Sequence, residues 1–391
     1  MNDASASTGP SSDARPGRIA AACTANVIVL GVLGLVAWLY ETDGDLYYRA
    51  LQEDEALEWA TFWAFFVAAA GFAWAAVRQR RAGVRVPWFL AGLSLFCFVV
   101  GMEEISWAQR LFSYRPPEYF LANNFQQEFN FHNVVDSDLR KLAMKLIIGV
   151  YGGLLPILAA VPALRTLIDR LAIVGPPLAF LPAFAATYWI YEDYPWKFSG
   201  ETVELMLGLG FLFSSLWALR RFSKAPPPGP GREVLCYAAA FAGVAALGAA
   251  NAQVARIKKA DDPLYVIQAQ GEVDALRADF EAIAGSPDGR LATGKNIHKR
   301  VYSYMEKYGK FELLEGAFGS LQAQGLAEER AGFFLDPWNA PYWIRDRGGD
   351  GKTPRVTFVY SFGPNMKRDS SPSELLGDDV GAYIHGTGPD R

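Results

Sequence analysis

Glu103 and Glu104 stand side by side at the end of the hydrophobic run 86–100, at the head of the stretch GMEEISWAQRLFSYRPPEYFLANNFQQEFNFHNVVDSD that covers residues 101–138. A charged side chain costs roughly 2.5 to 3.5 kcal/mol at mid-bilayer, so two carboxylates at the edge of a membrane crossing point to a task. On a continuing helix Glu103, Ser106, Trp107 and Arg110 share one face, because positions three, four and seven apart lie above one another. Farther on, Asn124, Gln126, Glu128, Asn130 and His132 alternate with Phe125, Phe129 and Phe131, a period of two that predicts an extended segment with its polar groups on one side. A helix over the same stretch instead aligns Glu128, His132 and Asp136 at intervals of four. Both forms bring a carboxylate and an imidazole to one surface.

Glu103, Glu104, Glu128, His132 and Asp136 are therefore the candidate catalytic residues, and they suit a divalent metal site or an acid–base pair tuned by a low dielectric. His132 is the only histidine of the apolar region, which excludes a three-histidine zinc centre and leaves a carboxylate-dominated site for magnesium, manganese or calcium. The plainer reading is that Glu103 and Glu104 pair with Arg110, Arg140 or Lys145 to fasten the loop to the helices. Trp107, Trp189, Tyr194 and Trp196 read as aromatics of the membrane interface. The sequence carries no Walker loop, GxGxxG, HExxH or GxSxG.

The elements that must hold these residues are apolar. Of 391 residues, 51% are hydrophobic and 20% charged, the composition of a partly embedded chain, and a net charge of −4 gives no case for a nucleic-acid partner. Residues 1–18 form a flexible tail. Seven stretches are long enough to cross a bilayer, at about 19–40, 60–77, 86–104, 146–164, 172–191, 203–219 and 234–250. Arg78, Arg80, Arg81 and Arg85, then Arg165 and Arg170, then Arg220, Arg221, Lys224 and Arg232 occupy alternate loops and belong on the cytoplasmic side with Arg15 and Arg18. The remaining loops are acidic and belong outside, in contact with membrane lipids. Pro176, Pro177 and Pro182 interrupt the fifth crossing and favour a bordering cavity. Cys23, Cys97 and Cys236 all fall in apolar runs and suggest neither a disulfide framework nor a CxxC site.

The expected organisation is a seven-span helical membrane domain over 19–251, followed by a small extracytoplasmic α+β domain over 252–391. There a charged amphipathic helix runs from Tyr265 to about Ala284, and a second follows from about Lys295 to Tyr308. The turn RDRGGDGKT and the β-rich run VTFVYSFG from Val356 come next.

Asp336, Pro337, Trp338, Pro341 and Tyr342, then Tyr360 to Asn365 (YSFGPN), then Gly377, Asp378, Asp379 and Val380 resemble the C-terminal half of the major pseudopilin of type II secretion, over about 297–384. The resemblance implies a three-stranded sheet and a calcium-binding loop. Carried over to this sequence, it makes Asp378 and Asp379 the calcium ligands, joined by Asp369 and the chain near Ser361. It also implies secretion-machinery proteins as partners. The span before this region begins GREVLCYAAA and lacks the family's Phe at a leader cleavage site, so the resemblance extends to the module and not to pilus assembly. The motif EEISW-x-QR with N-x-Q-x-E-x-N-x-HN resembles uncharacterised bacterial multi-span membrane proteins.

Two readings of function follow. One is a bacterial inner-membrane protein, its N-terminus cytoplasmic, that presents a calcium-binding pseudopilin-like domain to the periplasm. The other is a membrane-embedded hydrolase or transferase that acts on a lipid or lipid-linked substrate at the outer leaflet through Glu103, Glu104, Glu128 and His132.

Overall fold

The computed structural model describes residues 14–43, 46–47, 50–51, 55–84, 86–112, 117, 119–120, 129–132, 134–196, 199–260, 263–284, 336–338, 342–348, 353–365 and 368–386. Two compact units meet between Ala252 and Gln253.

The first unit is helical. Its described helices are α1 (Ala14–Thr42), α2 (Ala56–Arg81), α3 (Trp88–Glu104), the single turn α4 (Gln109–Phe112), α5 (Ser137–Leu146), α6 (Leu155–Ala160), α7 (Pro162–Arg170), α8 (Leu181–Asp193), α9 (Ser199–Arg221) and α10 (Pro230–Ala260). A wider-wound segment, Ile147–Leu154, joins α5 to α6 without a break, so that Ser137–Ala160 is one continuous rod. Among the described residues five helices are long and apolar enough to cross a membrane: 16–42, 56–81, 137–160, 199–221 and 230–257. The two other predicted crossings are shorter helices. α3 has 17 residues, and α8 has 13 because Pro176 and Pro177 keep the chain non-helical until Leu178.

α9 lies at the centre. Residues from Val203 to Ser215 are buried with the exception of Glu204; α2 packs along it, and α3 packs along α2. Small residues permit that approach. A Cβ on Gly71 would overlap the Ser215 hydroxyl and sit 2.9 Å from Ser215 Cβ, while one on Gly208 would lie 3.1 Å from Ala64 Cβ. Phe211 then anchors the core, stacked on Tyr151 at 4.7 Å and flanked by Phe65, Phe72 and Phe96.

The second unit combines α11 (Pro263–Ala284) with an antiparallel sheet of β1 (Trp343–Arg347), β2 (Val356–Ser361) and β3 (Val380–His385) in the order β1-β2-β3. Ala269, Val273, Leu276 and Phe280 recur at helical spacing and are fully buried, and α11 covers β2 and β3. Residues 345–347, expected to open a turn, extend β1 instead. Asp346 is buried there, paired with Arg355 through two contacts of 3.0 Å and accepting from Thr357 Oγ1 at 2.7 Å. The expected helix at 295–308 lies outside the described residues.

The tight α2–α9 seam has a measurable consequence. Gly71→Ala lowers the stability of the detergent-solubilised chain by about 1 to 3 kcal/mol through overpacking. Adding Ser215→Gly recovers part of that loss in a thermal melt.

Candidate functional site

Helix α3 stops at Glu104, and the chain then enters a left-handed turn with φ of 46° at Ser106, 53° at Trp107 and 63° at Ala108. Each such non-glycine residue costs roughly 1 to 2 kcal/mol. The expected helical face of Glu103, Ser106, Trp107 and Arg110 is therefore broken, and hydrogen bonds hold the turn in its place. Trp107 Nε1 donates to Glu103 Oε1 at 2.6 Å, and Ala108 N donates to the Ile105 carbonyl at 2.8 Å.

The same turn receives residues 129–132. Glu103 Oε2 accepts from the backbone N–H of Phe131 at 2.6 Å and of His132 at 3.0 Å, with His132 Nδ1 3.5 Å away. Gln109 Oε1 accepts from Phe129 N at 2.6 Å, and buried Asn130 donates to Ser106 Oγ at 3.2 Å. Phe120 packs edge to face on both Phe129 and Phe131, whose rings are tilted against each other. Glu103 thus fastens the loop through backbone amide groups; of the partners expected from sequence, neither Arg140 nor Lys145 pairs with it, and the Arg110 side chain lies outside the described residues. Lys145 pairs with Glu192 at 2.8 Å, and Arg140 donates to the His132 carbonyl at 3.3 Å.

Glu104 occupies a different setting. It is partly buried, and the carboxylates of Glu204, Glu201, Glu58 and Glu103 lie near enough to act on it electrostatically. His132 and Arg140 act in the same way on Glu204. Among the described residues Glu104 has no hydrogen-bond or ion-pair partner. Carboxylates gathered in this way repel one another while ionised, and a bound cation or a shared proton relieves the repulsion. The arrangement marks Glu104 and Glu204 as candidates for proton relay, and among the described residues the ligand atoms of three such groups do not converge there as they would around a metal ion.

Glu204 was not among the residues singled out from sequence, although the signal was present. Glu201 and Glu204 lie in the first two turns of an apolar helix, as unusual a position as that of Glu103 and Glu104. Asp136 has a structural role. It is the N-cap of α5, accepting from Asp138 N at 3.0 Å and Leu139 N at 3.2 Å. The chain is non-helical at 131–132 and 134–136, so His132 and Asp136 do not share a helical face. Glu128 lies outside the described residues.

In the second unit, ligand oxygens of Asp369, Asp378 and Asp379 lie within 4.8 Å of one another. Asn365 sits among them: its Nδ2 donates to Asp369 Oδ2 at 2.9 Å and Asp378 Oδ1 at 2.5 Å, and its backbone N–H donates to Asp378 Oδ2 at 3.0 Å. Asp379 accepts from Asp369 N and Ser370 N. Gly363 and Gly377, at φ of 65° and 66°, let the loops close. A Cβ on Gly377 would overlap the Asp369 carboxylate. Ser361 stands apart from this group. Its buried hydroxyl donates to Asp336 Oδ2 at 2.5 Å and accepts from Gly363 N at 2.9 Å. Asp336 also accepts from Trp338 N at 3.0 Å, so these residues join the Asp336–Trp338 turn to the end of β2.

Because Glu103 gathers one indole and two backbone N–H groups, Glu103→Ala removes the carboxylate acceptor from all three. The loss is about 2 to 4 kcal/mol of stability, measured as a lower melting temperature and faster amide exchange at 129–132. Asp136→Ala costs about 1 kcal/mol, the usual value of a lost N-cap.

No family model, curated protein or solved structure matches the chain.

Proposed function

We propose that the chain is a bacterial inner-membrane protein that crosses the bilayer seven times and holds its C-terminal α+β unit on the periplasmic side as a calcium-dependent interaction module. The grouping of Asp369, Asp378 and Asp379 carries this reading. Calcium takes six to eight oxygen ligands in flexible geometry, and three carboxylates on glycine-containing loops supply the charge it needs. The donor set fits in a second respect. Asn365 Nδ2 bridges two of the carboxylates, and turning the amide over would present Oδ1 to a cation between them. The seven crossings take α3 and the segment 178–193 as spans beside the five long helices, and the arginine-bearing loops support the orientation. The pseudopilin-like order of the DPW, YSFGPN and GDDV motifs supports a role as an assembly component related to type II secretion.

Burial, followed by the proximity of Asp369, raises the Asp378 carboxyl above its ordinary range, against the opposing hydrogen bond from Asn365 N. A group raised in the folded state binds more protons there than in the unfolded chain, so its contribution to stability is lost as pH rises through that interval. In chelator the melting temperature of the full-length chain accordingly falls as pH rises from about 4, and falls less in Asp378→Asn. Calcium at neutral pH raises the melting temperature of the native chain and leaves that of Asp378→Ala/Asp379→Ala unchanged. Identical melting of the native chain in calcium and in chelator would sink this reading.

The setting of Glu104 favours a second reading, in which the membrane unit is a hydrolase or transferase for a lipid or lipid-linked substrate, with Glu104 and Glu204 moving a proton and His132 beside them. Glu104→Gln is the test. It keeps size and burial, and it abolishes turnover of a lipid substrate while the melt stays at or above that of the native chain. A variant that retains turnover excludes the reading.

A further inference from the structure

At the other end of α9 from Glu204, a cavity of about 520 Å³ opens between α1, α6, α7, α9 and α10. Arg18, Arg165, Arg220 and Arg221 line it, with Asp169 and Glu233 as the acids. The ion pairs account for part of that charge. Arg220 meets Glu233 at 3.2 Å, and Arg221 meets Asp169 at 2.7 Å, which Arg165 approaches only to 3.9 Å. Arg18 lies over the Trp217 ring, 5.8 Å from its centre, and among the described residues it has no carboxylate partner. Two positive charges are left in excess at a site whose other walls are apolar.

We propose that this cavity binds a phosphate group carried by an apolar molecule, with an anionic phospholipid as its source. Guanidinium groups in a fork geometry are suited to phosphate oxygens, and Ile168, Leu178 and Trp217 offer surface for a hydrocarbon portion. The backbone points the same way. Residues 173–177 run non-helically, and Gly175, Pro176 and Pro177 line the cavity. Irregular chain at membrane depth is tolerated where it borders a polar cavity.

The neighbouring helix selects the lipid over free phosphate. On α7, Arg165, Ile168 and Asp169 line the cavity, whereas Leu164 and Leu167, with Val161 before and Leu171 after the helix, are exposed. A short helix with charges on one side and bare leucines on the other is suited to lie at a lipid interface, which would put the cavity mouth where headgroups are. Glu233 adds a preference. It is 6% exposed, and among the described residues its Oε2 has no hydrogen-bond partner, so a headgroup with a hydroxyl donor beside the phosphate completes the site.

The test uses the full-length chain in detergent and titrates dihexanoyl phosphatidylglycerol, dihexanoyl phosphatidylcholine and inorganic phosphate, followed by native mass spectrometry and thermal shift. Saturable binding of phosphatidylglycerol, at least about fivefold tighter than phosphatidylcholine, is expected, with a further loss of about fivefold for each of Arg18→Gln and Arg165→Gln. Both side chains are exposed and neither closes a short ion pair, so these variants keep the native melt. Arg18→Lys/Arg165→Lys retains part of the binding and separates loss of charge from loss of fold. Inorganic phosphate displacing the lipid at equal concentration would reassign the source to free phosphate. Equal binding of the two lipids, or unchanged binding in the double glutamine variant, would overturn the proposal.

Discussion

A helix interrupted in a hydrocarbon layer leaves N–H and C=O groups with no water to meet them, and each interruption must therefore bring its own partners. The first unit has two conspicuous ones, and both coincide with clustered charge. After α3 the chain turns left-handed, and Glu103 collects an indole and two backbone amides from the returning segment. Between α7 and α8 the chain runs without helix for several residues and borders the arginine-lined cavity. At the first place Glu103 answers a need of the backbone. Near the second, Gln79, Trp88 and Asn26 bond backbone groups of Ala172, Leu171, Ala179 and Ala183, while the arginines are engaged with acids and a ring. Glu103 is fully engaged by its indole and amide donors, whereas Glu104, its neighbour in sequence, is not.

That distinction explains what could be read in advance. Apolar length, loop charge and the stripe of Ala269, Val273, Leu276 and Phe280 are local patterns, and the long helices, the sheet and α11 were accordingly legible. That Glu103 meets the returning loop was legible too, from carboxylates placed where they are costly. What was not legible was which other groups meet. Glu204 acts electrostatically on Glu104 from a different helix, and the close packing of α9 along α2 passes through Gly71 and Gly208, whose role no periodicity announces. Asp136 shows the opposite failure. Its position just before an amphipathic helix marks an N-cap, but its spacing from His132 suggested a shared face.

Arg18, Arg165, Arg220 and Arg221 illustrate a third case. As loop charges they served to orient the spans, and that use required nothing of their mutual positions. Folding brings residues far apart in sequence around one cavity, because α1 and α9 pack together and Arg18 settles on Trp217. A basic loop residue thus carries two kinds of information, topological and local, and only the first survives in the sequence.

The placement of acids and arginines along α9 has a simpler physical contribution that must be separated from function. Glu201 lies in the first turn and Arg220 and Arg221 in the last, where the helix dipole favours them by about 0.3 to 1 kcal/mol each. That effect falls off within one turn, so it accounts for Glu201 and for the terminal arginines as helix stabilisers. It does not account for Glu204, which lies one turn deeper, or for Glu104, which comes from a different helix and joins a group of like charges. Nor does it account for Arg18 and Arg165, which belong to α1 and α7. The charges that other helices bring to the two ends of α9 have the signs the dipole favours but exceed what it accounts for. Those groups, and not the ones that merely cap the helix, are where a shared proton at one end and a bound phosphate at the other have physical grounds.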